Sequence, residues 1–343
     1  MKLIIQIPCL NEEESLPRVL AELPREVVGF DHVEWLLIDD GSTDGTVEVA
    51  RRHGVDHLVR LTGHQGLAAA FQAGLDAALK LGADVIVNTD ADGQYRASDI
   101  PRLVEPILSR RADMVVGDRQ VQDVEHFSPT KKLLQRLGSW VVRRASGTKV
   151  PDTTSGFRAY NREAALQLIV VSRYTYTLES LIQAGKMSVA IEDVSIRPNP
   201  TERSSRLSDS TSAYVRRNAF AIFRAYTLYE PLRVFMILAL VFAALAVTAW
   251  SPFLIDWIFN GDRSGHIQSL ILGAVLMLAA VQMFALGIIG DALAGQRAIA
   301  QRVYERVRRL ELEAGIEPTS YEPGDRDPAR ALAVETIETS VAR

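Results

Sequence analysis

The sequence predicts an α/β protein, a mostly parallel sheet with helices on both faces, followed by a two-helix transmembrane hairpin. Three observations predict it. Short, β-branched apolar runs recur, and each stops at a polar turn, as buried parallel strands do. Helix-patterned segments separate these runs at the spacing of βαβ units. Further on, residues 234–255 and 267–290 contain no charged residue. Each is long enough to cross a hydrocarbon core about 30 Å thick.

Residues 3–7, Leu-Ile-Ile-Gln-Ile, form the first strand, stopped by Pro8. Asn11 and the acidic run Glu12, Glu13 and Glu14 then open a helix, with carboxylates at its positive end. Residues 35–38 are the second strand, running into the turn 39–46, Asp-Asp-Gly-Ser-Thr-Asp-Gly-Thr, and a helix ending near His53 and Gly54. Residues 57–61 make a weaker third strand. His64, Gln65 and Gly66 lead into an Ala-rich helix over 66–81, whose small residues allow close packing on the sheet. Val85, Ile86 and Val87 form the central strand, which ends at Asp90 and Asp92; a helix follows from near Ser98. Residues 114–117 are the fifth strand, and 188–196 alternate as a further one. Three strand ends, 8–14, 39–46 and 90–94, carry the polar clusters. In a parallel sheet they share the edge where ligands gather.

The 343 residues allow two domains, and a hydrophobic fraction of 48% permits a sizeable core. A net charge of −4 gives no global argument for a nucleic-acid partner. The single Cys9 excludes an intramolecular disulfide and reads as a packed core thiol. No signal peptide precedes the first strand. Arg216, Arg217, Arg224 and Arg233 stand before the first apolar span, and Arg297, Arg302, Arg306, Arg308 and Arg309 after the second. The intervening loop 256–266 has only Arg263, balanced by Asp256 and Asp262. The positive-inside rule therefore makes this an integral protein of the cell membrane with its soluble domain and both termini cytoplasmic. The expected divisions are a soluble domain over 1–207, a juxtamembrane amphipathic helix over 208–231, the hairpin over 232–292, and a cytoplasmic helix with a tail, loose from about residue 317, over 293–343. Residues 131–144 read as a basic amphipathic helix, packed in the core or lying at the membrane surface.

Asp90 and Asp92 offer oxygen donors with no His or Cys nearby. They suit a hard cation, Mg²⁺ or Mn²⁺, that keeps waters and takes phosphate oxygens. A polar loop capping the next helix would show the same pair. Asp39 and Asp40 can accept hydrogen bonds from a ribose or base. Neither GxGxxG nor GxxxxGK[ST] is present, which excludes the dinucleotide fingerprint and the P-loop.

Pro8-Cys9-Leu10-Asn11-Glu12, Ile38 with the turn 39–46, His64-Gln65-Gly66-Leu67, Asp90-Ala91-Asp92-Gly93-Gln94, Gly117-Asp118-Arg119 and residues 152–158, Asp-Thr-Thr-Ser-Gly-Phe-Arg, together form a specific set. In them the chain resembles the family-2 glycosyltransferases with a GT-A fold, particularly the polyprenyl-phosphate branch that includes dolichol-phosphate mannose synthase. The resemblance implies that Pro8, Leu10, Glu12 and Asp40, with Asp39, bind the nucleoside of a nucleotide-sugar donor. It implies that Asp90, Ala91, Asp92 and Gln94 form the metal and diphosphate site. Arg119, with Lys131 or Lys132, would contact donor and acceptor phosphates, and Arg203 or Arg206 would meet the diphosphate. Leu10 stands where many relatives have Tyr, and Arg206 where an acidic or Ser-Lys pattern is common. The Gln-x-x-Arg-Trp motif of processive members is absent, which favours a single transfer.

The implied reaction is an inverting, metal-dependent transfer of one sugar to a membrane polyprenyl phosphate. Asp152 could serve as base, orient the acceptor through Arg158, or form a buried ion pair with Arg158. Rival readings are a non-catalytic membrane-tethered nucleotide-sugar-binding protein and a transferase for another membrane-associated acceptor. A nucleotidyltransferase would carry a Gly-rich basic loop where Asn11 and Glu12 to Glu14 stand. A homo-oligomer is compatible with the sequence.

Overall fold

The computed structural model describes residues 1–120, 143, 147–170, 176–199, 227, 230–260 and 266–324. Within them the chain divides into two compact units, Met1–Val215 with Val303–Arg343, and Arg216–Arg302.

The first unit is built on β1 (Lys2–Cys9), in which Leu3, Ile4, Ile5 and Ile7 are wholly buried. A strand apolar on both faces has to be covered on both, and it becomes the centre of the sheet. It pairs in parallel with β2 (His32–Asp39) on one side and β4 (Val85–Asn88) on the other. Outside β2 lies β3 (His57–Arg60), also parallel. The helices between them are α1 (Leu16–Glu22), α2 (Thr46–Arg52) and α3 (Leu67–Lys80). Ala70, Gly74, Ala77 and Ala78 are buried on α3, as its small-residue composition led us to expect. After β4 come a single 3₁₀ turn, Ala97–Asp99, α4 (Ile100–Leu108) and β5 (Met114–Asp118).

Two strands were not anticipated. β6 (Arg158–Asn161) lies antiparallel between β4 and β5. It continues into α5 (Arg162–Gln167), α6 (Tyr176–Lys186) and β7 (Ile191–Ser195), which pairs in parallel with β5. β8 (Tyr321–Pro323) closes the opposite edge, antiparallel to β3. The resulting eight-stranded order is β7-β5-β6-β4-β1-β2-β3-β8, mostly parallel with two antiparallel insertions.

Two further expectations are corrected. The acidic run does not lie in the first turn of α1, which begins at Leu16. Instead Glu13 accepts from the Gly45 N–H at 3.0 Å, tying the turn after β1 to the turn after β2. The segment from residue 317 is not loose throughout. Tyr321 stands 3.0 Å from His57 Nδ1 through its hydroxyl, and Glu322 pairs with Arg51 at 2.5 Å. Residues 325–343, the basic segment at 131–142, and nearly all of the expected juxtamembrane helix lie outside the described residues.

The second unit contains α7 (Pro231–Ile255), a π-helical turn (Asp256–Asn260), and α8 (Ile267–Glu313), whose last turns belong to the first unit. Both helices are long and apolar enough to cross a membrane, with mean hydropathies of 2.4 and 2.3 and only 17% of each apolar stretch buried. Their outward Ile, Leu and Val side chains, Ile237, Leu240, Val247, Ile271 and Leu278 among them, have no protein cover. Such a surface suits a lipid environment, and the two helices could form a transmembrane hairpin. The Trp250 indole N–H donates to the Leu270 carbonyl at 3.2 Å across the hairpin. The last turns of α8, within the first unit, are tied to its other elements: the Arg308 guanidinium donates to the Ala165 and Leu166 carbonyls closing α5, and Lys80 bridges Asp76 and Glu311.

Candidate active site

The sheet order sets the carboxyl ends of β4, β1 and β2 side by side. This is the edge on which the three polar clusters were expected to meet. Pro8 is buried within β1, while Leu10 and Glu12 are half-buried just beyond it. Asn11 adopts a left-handed backbone, φ +55°, a conformation Asn tolerates better than most residues. Its N–H donates to Ser42 Oγ at 2.9 Å, and its side-chain oxygen accepts from the Thr43 N–H at 2.8 Å. The Glu12 N–H donates to Thr46 Oγ1 at 2.9 Å. Asp39 accepts from the Ser42 N–H at 2.9 Å and lies 3.8 Å from Arg60. Asp40 takes the Gln65 and Gly66 N–H groups at 2.7 and 2.9 Å, and lies 2.8 Å from His64 Nδ1. A carboxylate has about four acceptor positions, and Asp40 has filled three within its own chain. The loops after β1, β2 and β3 therefore form one hydrogen-bonded rim.

Beyond β4, Asp90 and Asp92 flank the buried Ala91. Asp92 is exposed and, among the described residues, accepts only the Gln94 N–H, at 2.9 Å. Asp90 keeps some solvent contact but receives no hydrogen bond among the described residues. Burial and the Asp92 charge push its pKa up to about 7, against the opposing pull of Arg119 and Arg158. Gly156 packs against its carboxylate: a Cβ there would meet both oxygens at 3.1 Å and the Tyr176 hydroxyl at 2.6 Å.

Arg119, just past β5, connects this turn to the residues before β6. Its Nε and Nη2 donate to the two oxygens of Asp152 at 2.7 and 3.1 Å, and Nη1 reaches Gln94 Oε1 at 3.5 Å. Burial alone would raise the Asp152 pKa. The Arg119 guanidinium outweighs that and holds it below its ordinary value. The expected Asp152–Arg158 ion pair is thus replaced by Asp152–Arg119. Arg158 is wholly buried, and its guanidinium donates to the Ser155, Thr177 and Thr153 carbonyls and to Ser180 Oγ. Its positive charge is felt by Asp90, but it makes no ion pair with a carboxylate among the described residues. Lys131, Lys132, Arg203 and Arg206 lie outside the described residues.

Three contributors escaped the sequence reading. Tyr95 stacks on Phe157, ring centroids 5.1 Å apart, and its hydroxyl accepts the Gly156 N–H at 2.9 Å. Burial and Asp90 push its pKa up to about 12, so it stays a neutral phenol. Asn88 donates to the Gly156 carbonyl at 2.8 Å. Asn199, after β7, pairs with the metal-type turn, its N–H on the Gln94 carbonyl at 2.9 Å and its side-chain amide on the Gly93 carbonyl at 3.0 Å. The Gly at 156 was the one visible signal, since a Gly between Ser and Phe invites a close-approach reading.

The donor set fits a divalent cation of the hard type. Asp90 and Asp92 supply only oxygen, Asp90 receives no hydrogen bond among the described residues, and its proton affinity is raised by burial and then by the neighbouring carboxylate. No cluster of three or more His, Cys, Asp or Glu occurs among the described residues. A cation that shares its shell with substrate phosphates and water needs only one or two carboxylates.

Comparison with known proteins agrees with this geometry. Residues 4–169 match the sequence profile of glycosyl transferase family 2. The undecaprenyl-phosphate mannosyltransferase of Micrococcus luteus is 32% identical over 206 residues, 57% of this chain and 83% of that protein. The dodecaprenyl-phosphate galacturonate synthase of Rhizobium johnstonii is 27% identical over 303 residues, 86% of this chain and 88% of the other. Glucosyl-3-phosphoglycerate synthase of Mycobacterium tuberculosis, solved with Mn²⁺, UDP and glucosyl-3-phosphoglycerate, shares the GT-A-like fold. Its TM-score is 0.53 at 23% identity, covering 65% of this chain and 79% of that one. With its profile match, relatives spanned over most of their length, and strand-end acids gathered on one sheet edge, the chain belongs to glycosyl transferase family 2, and is a glycosyltransferase.

Proposed function

We propose that this glycosyltransferase moves one sugar from a UDP- or GDP-linked donor to the phosphate of a membrane polyprenyl phosphate, inverting the anomeric centre. The observation that carries this reading is the presence, in one chain, of the Asp90–Asp92–Arg119 cluster and two membrane-length helices. Two relatives carry a polyprenyl phosphate in their names, and one is matched over 86% of this chain, a share too large to leave out either apolar span.

Asp90 and Asp92, with Gln94 beside them, would hold Mg²⁺ or Mn²⁺, which neutralises the charge developing on a departing diphosphate. Arg119, fixed by Asp152, sets a permanent cation beside the same turn. The lipid phosphate is anionic at neutral pH and needs little deprotonation. Asp152, with its lone pairs engaged and its pKa lowered, therefore serves as the holder of Arg119 rather than as a base. Pro8, Leu10 and Glu12 line the nucleoside side. Lys131 or Lys132 would bind the acceptor phosphate, and Arg203 or Arg206, which follow Asn199 within seven residues of sequence, would meet the diphosphate.

The test is product analysis. The full chain, given labelled UDP- or GDP-sugar, Mg²⁺ and a polyprenyl phosphate, is expected to place label in an organic-extractable lipid monophosphate sugar. Equal transfer to a water-soluble acceptor without lipid would end the lipid-phosphate reading. The Arg distribution places both termini in the cytoplasm and the loop 256–266 outside. A cysteine introduced at Ser264 should react with an impermeant thiol reagent in intact cells. Cys9, buried with its thiol pKa pushed well up, stays silent in that assay. Labelling at Ser340 instead of Ser264 would reverse the orientation.

A further inference from the structure

We propose that His64 selects the base of the nucleotide donor by accepting a ring N–H through Nε2. The proposal rests on the donor reading above and adds a residue and a class of base to it. His64 follows β3 at the ligand edge of the sheet, with its side chain 63% exposed and Nδ1 2.8 Å from Asp40 Oδ2. Its loop is fixed by the Gln65 and Gly66 N–H bonds to the same carboxylate. Backbone contact seals the position: Gly41 has φ +81°, and a Cβ on it would lie 2.6 to 2.8 Å from Gly63 and the His64 nitrogen. An imidazole on so constrained a loop is a fixed group rather than a mobile surface side chain.

Its hydrogen-bonding sense follows from its partner. A carboxylate only accepts, so Nδ1 carries a proton, and a ring holding that proton alone offers Nε2 as an acceptor. The order β4-β1-β2-β3 sets the distance scale. Three strand spacings separate the diphosphate turn after β4 from the loop after β3, roughly 14 Å. That is comparable to the reach of an extended nucleoside diphosphate, which puts its base at the His64 end. Uracil and guanine present a ring N–H beside a carbonyl. Cytosine and adenine present an unprotonated ring nitrogen there, and two acceptors would face each other.

The experiment is calorimetric titration of the full chain with UDP, GDP, CDP and ADP in Mg²⁺. Asn keeps a donor where Nδ1 stands but has nothing at the Nε2 position; Gln has an oxygen near Nε2 instead. His64→Asn should keep the wild-type melting temperature and lose about five- to tenfold in affinity for UDP or GDP. CDP and ADP binding should be unchanged, and His64→Gln should restore part of the discrimination. An unaltered ratio in His64→Asn, or an equal loss for all four nucleotides, overturns the assignment and leaves the donor reading standing. Failure of the wild-type chain to bind any of the four overturns both.

Discussion

Asp92→Asn is expected to lower sugar transfer by about a hundredfold or more at saturating substrates. The substitution is nearly isosteric, and the Asn side-chain oxygen can still accept the Gln94 N–H that Asp92 Oδ1 accepts at 2.9 Å. The turn is therefore expected to persist, and the stability of the apo chain to stay within about 0.5 kcal/mol, since the site is exposed. What is removed is one full charge at the place where, on the proposed reading, a cation would be held against a diphosphate. The loss should show in kcat and in the Mg²⁺ concentration giving half-maximal rate. Near-normal turnover at high Mg²⁺ would remove Asp92 from the metal site and move attention to Asp90 alone.

Arg119→Met should be the most damaging single change to the first unit. Arg119 and Asp152 are 16% and 3% exposed, so the pair is screened little, and its loss strands a buried carboxylate. Such a loss costs about 3 to 5 kcal/mol, or a fall of about 10 °C in melting temperature for a unit of this size. The pH dependence has a definite sign. The folded-state pKa of Asp152 lies below the ordinary 3.8, so its pairing stabilises the protein above that value. The contribution disappears as pH falls through the lowered pKa, and the gap between wild type and Arg119→Met should shrink in acid. Adding Asp152→Leu to Arg119→Met should recover much of the lost stability, because the stranded charge is gone. A single variant that melts within about 2 °C of wild type at neutral pH would show the pair to be dispensable.

Much of this was legible because it depends on short-range pattern. The buried runs at 3–7, 35–38 and 85–87 could only be central strands, and their polar ends had to share an edge. The two uncharged spans needed only their length. β6 was missed because it begins at Arg158, and a strand starting with a cation looks like a surface turn. The structure buries that cation by supplying three carbonyls from two segments, residues 153–155 and the first turn of α6, a solution no local pattern reveals. The choice between Arg119 and Arg158 as partner of Asp152 was hidden for the same reason. β8 has only three residues, Tyr-Glu-Pro, and its strand character comes from pairing with β3 and from the His57 and Arg51 contacts. The acidic run after β1 was misplaced because Glu near a helix start usually serves the helix. Here it serves a neighbouring loop.

The first unit is completed by residues on the far side of the hairpin, since β8 and the last turns of α8 belong to it. A ribosome therefore releases this fold in two instalments. Residues up to 215 emerge with the β3 edge bare, and Tyr321 follows 106 residues later, roughly 5 to 20 s at ordinary elongation rates. During that interval both apolar spans pass through the exit tunnel and are available to the insertion machinery. The sheet gains its final strand only after both apolar spans have been translated, so the order of synthesis puts those spans ahead of the strand that closes the β3 edge. A nascent chain halted before residue 303 would display an open sheet edge, which is a marker that quality-control proteases and holdases can recognise.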